Sequence, residues 1–267
     1  MINDPVLAVA VRAARRAGSV VIDAARDLKR LPAHAKEHAD IAAAADTEAE
    51  NAIVATVRAA FPEHAVLGEE SGHIEGARDG AGFKWIVDPL DGSANFTHGY
   101  PYFAVSIALA HGTEITHAVV LDPVRDELYT AIRGKGAQLN GAPIRVSSCM
   151  ALDQALLGTV FPARKSSQMH DFMPLLGTVL GRAADVRRAG SAALDLAYVA
   201  AGRLDGFWAT TSRPWDVAPG ALLIKEAGGR VGDFAGGTDF LRASEVIAAA
   251  PGVFNALREA LAAGRRR

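Results

Sequence analysis

The stretch Trp85-Ile86-Val87-Asp88-Pro89-Leu90-Asp91-Gly92-Ser93-Ala94-Asn95-Phe96 decides how the chain is read. It opens as an apolar run, the pattern of a buried strand, and ends in two acids three positions apart, then a glycine and a hydroxyl. A turn accounts for Pro89 and Gly92. It does not account for the acids, because a carboxylate at the mouth of a core strand must be paired or meet a cation.

Two other places set acids at the edge of a structural element. Gly68-Glu69-Glu70-Ser71 follows the apolar Ala65-Val66-Leu67, and Pro214-Trp215-Asp216 opens a predicted helix over 215–227. Taken singly, Glu69 and Glu70 read as solvated loop acids, Asp216 as a first-turn acid favoured by the helix dipole, and Asp91-Gly92 as a turn. The Asp88–Asp91 pair resists that reading because it follows a core strand directly. Converging oxygen ligands with no Cys or His cluster beside them suit Mg²⁺ rather than zinc. A bridging aspartate holds two such ions about 3.5–4 Å apart, the arrangement used in phosphoryl chemistry. Backbone N–H groups of Gly92 and Ser93, at a turn that opens a short helix, make an anion cradle. The residues alone thus point to metal-dependent phosphate chemistry and leave the substrate open.

On the N-terminal side, the spacing of Leu7, Val11, Ala14, Val20, Val21 and Ala25 predicts an amphipathic helix over 5–30, then a polar loop over 31–40 containing Pro32. A second helix is expected over 45–60, with Ile53, Val54 and Val57 inward and Pro62 beyond its end. Strands are expected at 65–67, 85–87, 103–109, 117–121 and 127–132, and a tight strand pair over 134–141 with Asn140-Gly141 at the bend. From 151 the order becomes strand and helix in alternation: strands at 156–160, 185–188, 204–208 and 246–249, helices at 168–181, 191–202, 215–227 and 251–263. The first half is α+β and the second α/β, with an expected boundary between 1–147 and 148–267 and the two halves packed as one unit.

The chain has 267 residues, half of them hydrophobic, enough for a large core. Its net charge is −2 with the basic residues dispersed, so no nucleic-acid footprint appears, and Arg265-Arg266-Arg267 reads as a solvated tail. The single cysteine, Cys149, excludes an intrachain disulfide, fits a reducing compartment and reads as a small buried hydrophobe. No apolar run reaches the roughly 20 residues of a membrane span. Asp4, Arg12, Arg15 and Arg16 do not suit a signal peptide, so the expectation is a cytoplasmic protein with no membrane partner.

These residues resemble the inositol monophosphatase family, the Mg²⁺-dependent, lithium-sensitive sugar-phosphate phosphatases. The resemblance runs from about Lys36 to Gly229 through motifs in order. They are Asp40-Ile41-Ala42-Ala43-Ala44-Ala45-Asp46, Gly68-Glu69-Glu70-Ser71, the opening stretch with its continuation from Gly99-Tyr100-Pro101 to Ala108-Leu109, Arg188-Ala189-Gly190-Ser191-Ala192-Ala193, and Pro214-Trp215-Asp216-Val217-Ala218. The resemblance implies a layered αβαβα sandwich and a homodimer. It implies that Glu69, Asp88 and the carbonyl of Leu90 hold one Mg²⁺, and that Asp88, Asp91 and Asp216 hold a second. A third, weaker ion would meet Glu69 through water. Glu69 and Ser93 would position and activate the attacking water, with Asp46 orienting the network behind. Gly92 and Ser93 would bind the phosphate of a small phosphorylated substrate, and Asp91 and Ala192 would face its ring.

Three positions depart from the family's usual pattern. Ala43 stands where a threonine is common, Ser93 replaces a threonine and keeps the hydroxyl, and Ala209 stands where inositol phosphatases place a glutamate that accepts from ring hydroxyls. Such a lost hydrogen bond costs about 1–3 kcal/mol. Arg213, close by, offers a cation to a second anionic group. The expected activity is hydrolysis of inositol monophosphate or a related polyol phosphate. Fructose 1,6-bisphosphate, histidinol phosphate or a 3′-phosphonucleotide is the alternative substrate. A regulatory protein on the same fold, binding RNA or the transcription machinery, is the alternative of another class.

Overall fold

The computed structural model of the chain describes residues 4–28, 30, 37–77, 82–163 and 166–266. Helices α1 (Pro5–Leu28) and α2 (Glu37–Ala60) form the first layer. Asp4 caps α1 by accepting from the N–H groups of Val6 and Leu7. The inward stripe of α1 is small, Ala10, Ala13, Ala14, Ala17 and Gly18, so the helix lies close on the sheet below. A methyl group at Gly18 would stand 2.8 Å from the Leu121 side chain. The second helix begins at Glu37, not at 45 as expected. Its alanine run has the strongest intrinsic preference for helix, and Glu37 and Asp40 complement the dipole of its first turn. Pro32 and Lys36 lie outside the described residues.

The second layer is an eight-stranded sheet. Its strands are β1 (Ala65–Gly68), β2 (Gly72–Ile74), β3 (Phe83–Asp91), β4 (Ala104–His111), β5 (Glu114–Asp122), β6 (Glu127–Ile132), β7 (Ala137–Leu139) and β8 (Ala142–Pro143), in the order β2-β1-β3-β4-β5-β6-β7-β8. Strand β4 is buried at every position from Ala104 to Ala110, as a central strand covered on both faces must be. Asn140 and Gly141 both take positive φ at the β7–β8 bend, the backbone a two-residue hairpin turn requires. The three-residue β2 carries too short a pattern to be foreseen.

A third layer holds α5 (Ala192–Ala200) and α6 (Pro214–Glu226), and a fourth is a five-stranded sheet. That sheet orders β10 (Asp185–Arg187), β9 (Leu156–Thr159), β11 (Gly206–Ala209), β13 (Val246–Ala249) and β12 (Arg230–Gly232). The fifth layer is α4 (Gln168–Leu180) and α8 (Pro251–Gly264), while α3 (Ser93–Thr97) and α7 (Phe240–Ala243) are short connections. Strand β12 and helix α7 were not foreseen, being too short for periodicity to reveal.

Apolar clusters glue the layers, and a small one of Ile86, Ala108, Ala110 and Ala218 joins the eight-stranded sheet to α6. Val87, Ile107 and Leu121 face α1 and α2. Val120 and Tyr129, on the other face, meet Leu196 and Leu223 of the middle helices, which in turn meet Phe207 and Ala248 of the second sheet. Trp208 and Ile247 point away, onto Phe172, Leu257 and Leu261 of the outer helices. The architecture is the expected αβαβα sandwich. The middle helices cross at contact: a methyl at Gly220 would come within 2.4 Å of the Leu196 Cβ. Cys149 is only half buried, its Sγ donating to the Ala151 carbonyl at 3.3 Å, because it sits on a connecting segment rather than in a core strand. Arg265 is not a free tail residue, since it pairs with Glu245 and lies over the Phe234 ring. Among the described residues, no helix is long and apolar enough to cross a membrane.

Candidate active site

The site forms where β1 and β3 end. The two strands run parallel in register, Gly68 beside Val87, so Glu69 emerges next to Asp88 although 19 positions separate them. The Glu69 N–H still donates to the Val87 carbonyl at 3.2 Å, which fixes where its side chain starts. Strand β3 then departs from regular pairing between Asp88 and Asp91. Such a bulge re-aims side chains, as bulges beside active sites do. It lets Asp88 turn back to accept from the Leu90 N–H at 3.0 Å and sends Asp91 toward α5.

Asp91 is gripped there. Its Oδ2 accepts from the Ser191 hydroxyl and from the Ala193 N–H, both at 2.6 Å. Ser191 also caps α5, accepting from the Leu194 N–H, so the start of the helix and the carboxylate are held by one hydroxyl. Ala192, the first residue of α5, lies buried beside this contact. Asp216, in the first turn of α6, accepts from the Arg213 N–H at 2.8 Å. Burial pushes Asp216 up, and the Arg213 N–H bond together with the charge of the exposed Arg213 side chain only partly offsets it. Ala209, fully buried and paired with Val246, brings no polar atom to this end of β11.

Gly92 has φ 102°, and a Cβ there would stand 3.0 Å from the Tyr102 carbonyl oxygen, so only glycine fits without strain. The helix it opens, α3, carries no side-chain cap. Ser93 is exposed at the start of that helix.

The electrostatics of the acids are unfavourable in the absence of a cation. Asp88 is 1% exposed, and burial pushes it well above the ordinary carboxylate range, with Asp91, Glu69, Asp216 and Asp46 adding to the push. Burial and Asp216 raise Asp91 to about 7, against the two hydrogen bonds that lower it. Burial raises Asp46 to about 8, helped by Glu70, Glu69 and Glu50, and one of its oxygens, Oδ1, has no partner. Glu69 stands at the exposed lip. The protein packed around it and the charge of Asp216 still raise it, and it lies within hydrogen-bonding reach of Asp88. Two carboxyls at that separation need a shared proton or a cation between them.

Among the described residues, no three His, Cys, Asp or Glu side chains are gathered tightly enough to hold one ion. Glu69 and Asp88 come within hydrogen-bonding reach of each other, and Asp91, Asp216 and Asp46 act on Asp88 through charge. Their chemistry fits a hard divalent cation: every donor is oxygen, the carboxylates are desolvated, and the charges of Glu69 and Asp216 push Asp88 and Asp91 up. Stability of the metal-free protein should therefore depend on pH with a defined sign. Groups whose folded-state pKa lies above the usual 3.8 bind more protons folded than unfolded. Their stabilisation is present at low pH and lost as pH rises through the folded values, between about pH 4 and pH 8. Thermal melts of metal-free protein should show Tm falling by several degrees, roughly, from pH 5 to pH 8, and Mg²⁺ should raise Tm more at pH 8 than at pH 5. A flat profile would contradict the mutual repulsion.

The sequence pattern missed the supports of these acids. Glu50, four positions after Asp46 on α2, is 3% exposed and accepts from the N–H groups of Glu70 and Ser71 at 3.0 and 2.7 Å. It holds the 69–71 turn in place, and its carboxylate fills the space a Cβ at position 68 would need. The i to i+4 spacing from Asp46 was the available signal. Ser191 carried the signal of a helix N-cap, but its bond to Asp91 crosses 100 positions.

Comparison with known proteins agrees with the geometry. The chain is 48% identical over 255 residues to "Nus factor SuhB" of Pseudomonas aeruginosa, covering 95% of this chain and 94% of that protein. The crystal structure of the extragenic suppressor protein suhB from Bartonella henselae superposes with a TM-score of 0.87 at 39% identity, over 97% of this chain and all of that one. The inositol monophosphatase from Anabaena superposes at 0.85 with 34% identity, over 96% of this chain and 95% of that one. A model of the inositol monophosphatase family matches residues 2–266. With the layered fold and the ordered acidic motifs already in place, this match over nearly the whole length establishes that the chain belongs to the inositol monophosphatase family.

Proposed function

We propose that the protein is a Mg²⁺-dependent phosphomonoesterase acting on inositol monophosphate or a related polyol phosphate. The observation that carries this reading is the pairing of Glu69 with the buried Asp88 beside Asp91 and Asp216, beside a glycine turn whose short helix carries no side-chain cap. Glu69, Asp88 and the Leu90 carbonyl would hold one ion, and Asp88, Asp91 and Asp216, drawn closer by side-chain rotation than they stand here, a second; a third would meet Glu69 through water. The ions would supply charge neutralisation at the phosphate and a lowered pKa for bound water.

The chain's own residues do the rest. The N–H groups of Gly92 and Ser93, at positive φ and then at the start of α3, receive the phosphate oxygens. The Ser93 hydroxyl and the Glu69 carboxylate orient the attacking water, and Glu69, with its raised pKa, accepts the water's proton. Asp46 lies behind them, its free oxygen available to that water network. Asp91, pinned by α5, and Ala192 face the alcohol portion of the substrate. The apolar Ala209 withholds a hydrogen bond from ring hydroxyls, and the exposed Arg213 at the rim favours substrates with a second anionic group.

The test is phosphate release with and without Mg²⁺ over inositol 1-phosphate, glycerol 2-phosphate, fructose 1,6-bisphosphate, histidinol phosphate and 3′-phosphoadenosine 5′-phosphate. Mg²⁺-dependent turnover fastest on inositol 1-phosphate supports the reading in full. Fast turnover on another substrate keeps the chemistry and reassigns the pocket. A second reading rests on the name of the relative at 48% identity, a Nus factor: a binding role in transcription carried on the same fold. Metal binding without turnover on any substrate would favour it. The homodimer and the cytoplasmic location are part of the same proposal.

A further inference from the structure

Behind Asp91 lies a closed ring of hydrogen bonds that joins residues 91–102 to residues 189–195, some hundred positions on. Asp91 is held by Ser191 and Ala193 at the start of α5. One turn along that helix, Asp195 is 0% exposed and its Oδ1 accepts from the Tyr102 hydroxyl at 2.7 Å. Tyr102 sits just before β4, and its carbonyl accepts from the Asn95 side-chain amide at 2.7 Å. The same amide donates to the Ala189 carbonyl at 2.8 Å, returning to the segment that leads into α5. Asn95 lies in α3, two residues after Ser93. The Tyr102 carbonyl is also the group that a side chain at position 92 would strike.

This ring bears on the site rather than on bulk packing, for three reasons. Tyr102 and Asp195 are nearly buried, so their hydroxyl–carboxyl bond is made where water does not compete. The bond fixes the first turn of α5, and that turn sets the orientation of the Asp91 carboxylate through two short bonds. Asn95 ties the phosphate-turn helix to both partners of that arrangement. A shift at any member moves Asp91 against Gly92 and Ser93. We propose that Tyr102, Asp195 and Asn95 are positioning residues that hold Asp91 and the Gly92-Ser93 turn in mutual register, so that cation and phosphate are engaged together.

The inference rests on the phosphatase reading and gains a readout that does not depend on turnover. The midpoint of Mg²⁺-induced thermal stabilisation reports how well Asp91 is presented to the ion, while the melting temperature without Mg²⁺ reports structural loss alone. Tyr102→Phe keeps the ring and its packing and deletes only the hydroxyl. It is expected to raise the Mg²⁺ midpoint at least about 5-fold and lower kcat at least about 10-fold, with a smaller change in KM. Asp195→Asn, which still accepts from the Tyr102 hydroxyl, should stay within about 3-fold of the parent in both. The double variant Tyr102→Phe/Asp195→Ala should be no worse than Asp195→Ala alone, because both delete one bond.

A Tyr102→Phe protein that melts earlier but keeps the parental Mg²⁺ midpoint would make the ring merely structural and overturn the inference while leaving the phosphatase reading intact. A parent protein whose melting Mg²⁺ leaves unmoved would overturn both. A parent that Mg²⁺ stabilises but that turns over no substrate would remove the phosphatase reading alone, and the midpoint shift in Tyr102→Phe would still decide the ring.

Discussion

Asp88→Asn should reduce Mg²⁺-dependent turnover by at least about 100-fold and, at the same time, raise the stability of the metal-free protein at pH 8. The two effects have one cause. Asp88 is buried, pushed up by Asp91, Glu69, Asp216 and Asp46, and within hydrogen-bonding reach of Glu69. With a cation bound, its charge is what the site is built around, and losing a shared ligand removes metal and water activation together. Without one, that charge is a liability, because a buried carboxylate among carboxylates destabilises the fold. An amide is isosteric, carries no charge and still accepts from the Leu90 N–H. Steady-state kinetics and urea unfolding in the presence of chelator check the two arms. A variant with near-parental turnover would remove Asp88 from the mechanism. A variant less stable than the parent without metal would show that the folded protein compensates the Asp88 charge without any cation.

Gly92→Ala should cost both activity and stability. At φ 102° an L-residue is strained by about 1–3 kcal/mol. The added Cβ would also press on the Tyr102 carbonyl at 3.0 Å and on Phe103 at 3.2 Å. Relief requires the turn to move outward, carrying Ser93 and the first N–H groups of α3 away from where the phosphate must sit. A displacement near 1 Å in such a site costs about 100-fold in rate. The expected outcome is a lower urea midpoint with unchanged m-value, and a kcat/KM reduced about 100-fold. Because Asp91 stays bound to α5 in this variant, the Mg²⁺ midpoint should move little. That contrast separates the phosphate cradle from the ion ligands, and a large shift in the midpoint would show the two to be inseparable.

Much of the fold was legible because its strands and helices are long enough to show a period. The apolar run ending in Asp88 and Asp91 announced β3, and the Asn140-Gly141 bend announced a hairpin from turn chemistry alone. The elements that stayed hidden, β2, β12 and α7, have three or four residues each, too few for any periodicity to stand out. The early start of α2 was hidden for another reason: an alanine-rich turn with polar neighbours looks like loop by hydropathy and like helix by propensity, and propensity won.

What the sequence determined by itself was the chemistry offered: oxygen donors at strand ends, a glycine turn with a hydroxyl beside it, and the change from an α+β half to an α/β half. These depend on neighbours within a few positions, where covalent geometry and local hydrogen bonding decide. The tertiary structure alone decided which acids meet, how far burial and mutual repulsion shift them, and what holds each in place. Asp91 finds Ser191 across 100 positions, and Tyr102 finds Asp195 across 93. Contacts of that span are set by how the two sheets and the helices between them pack, since the energy that selects them is the burial of whole faces and not any preference local to the residues that touch.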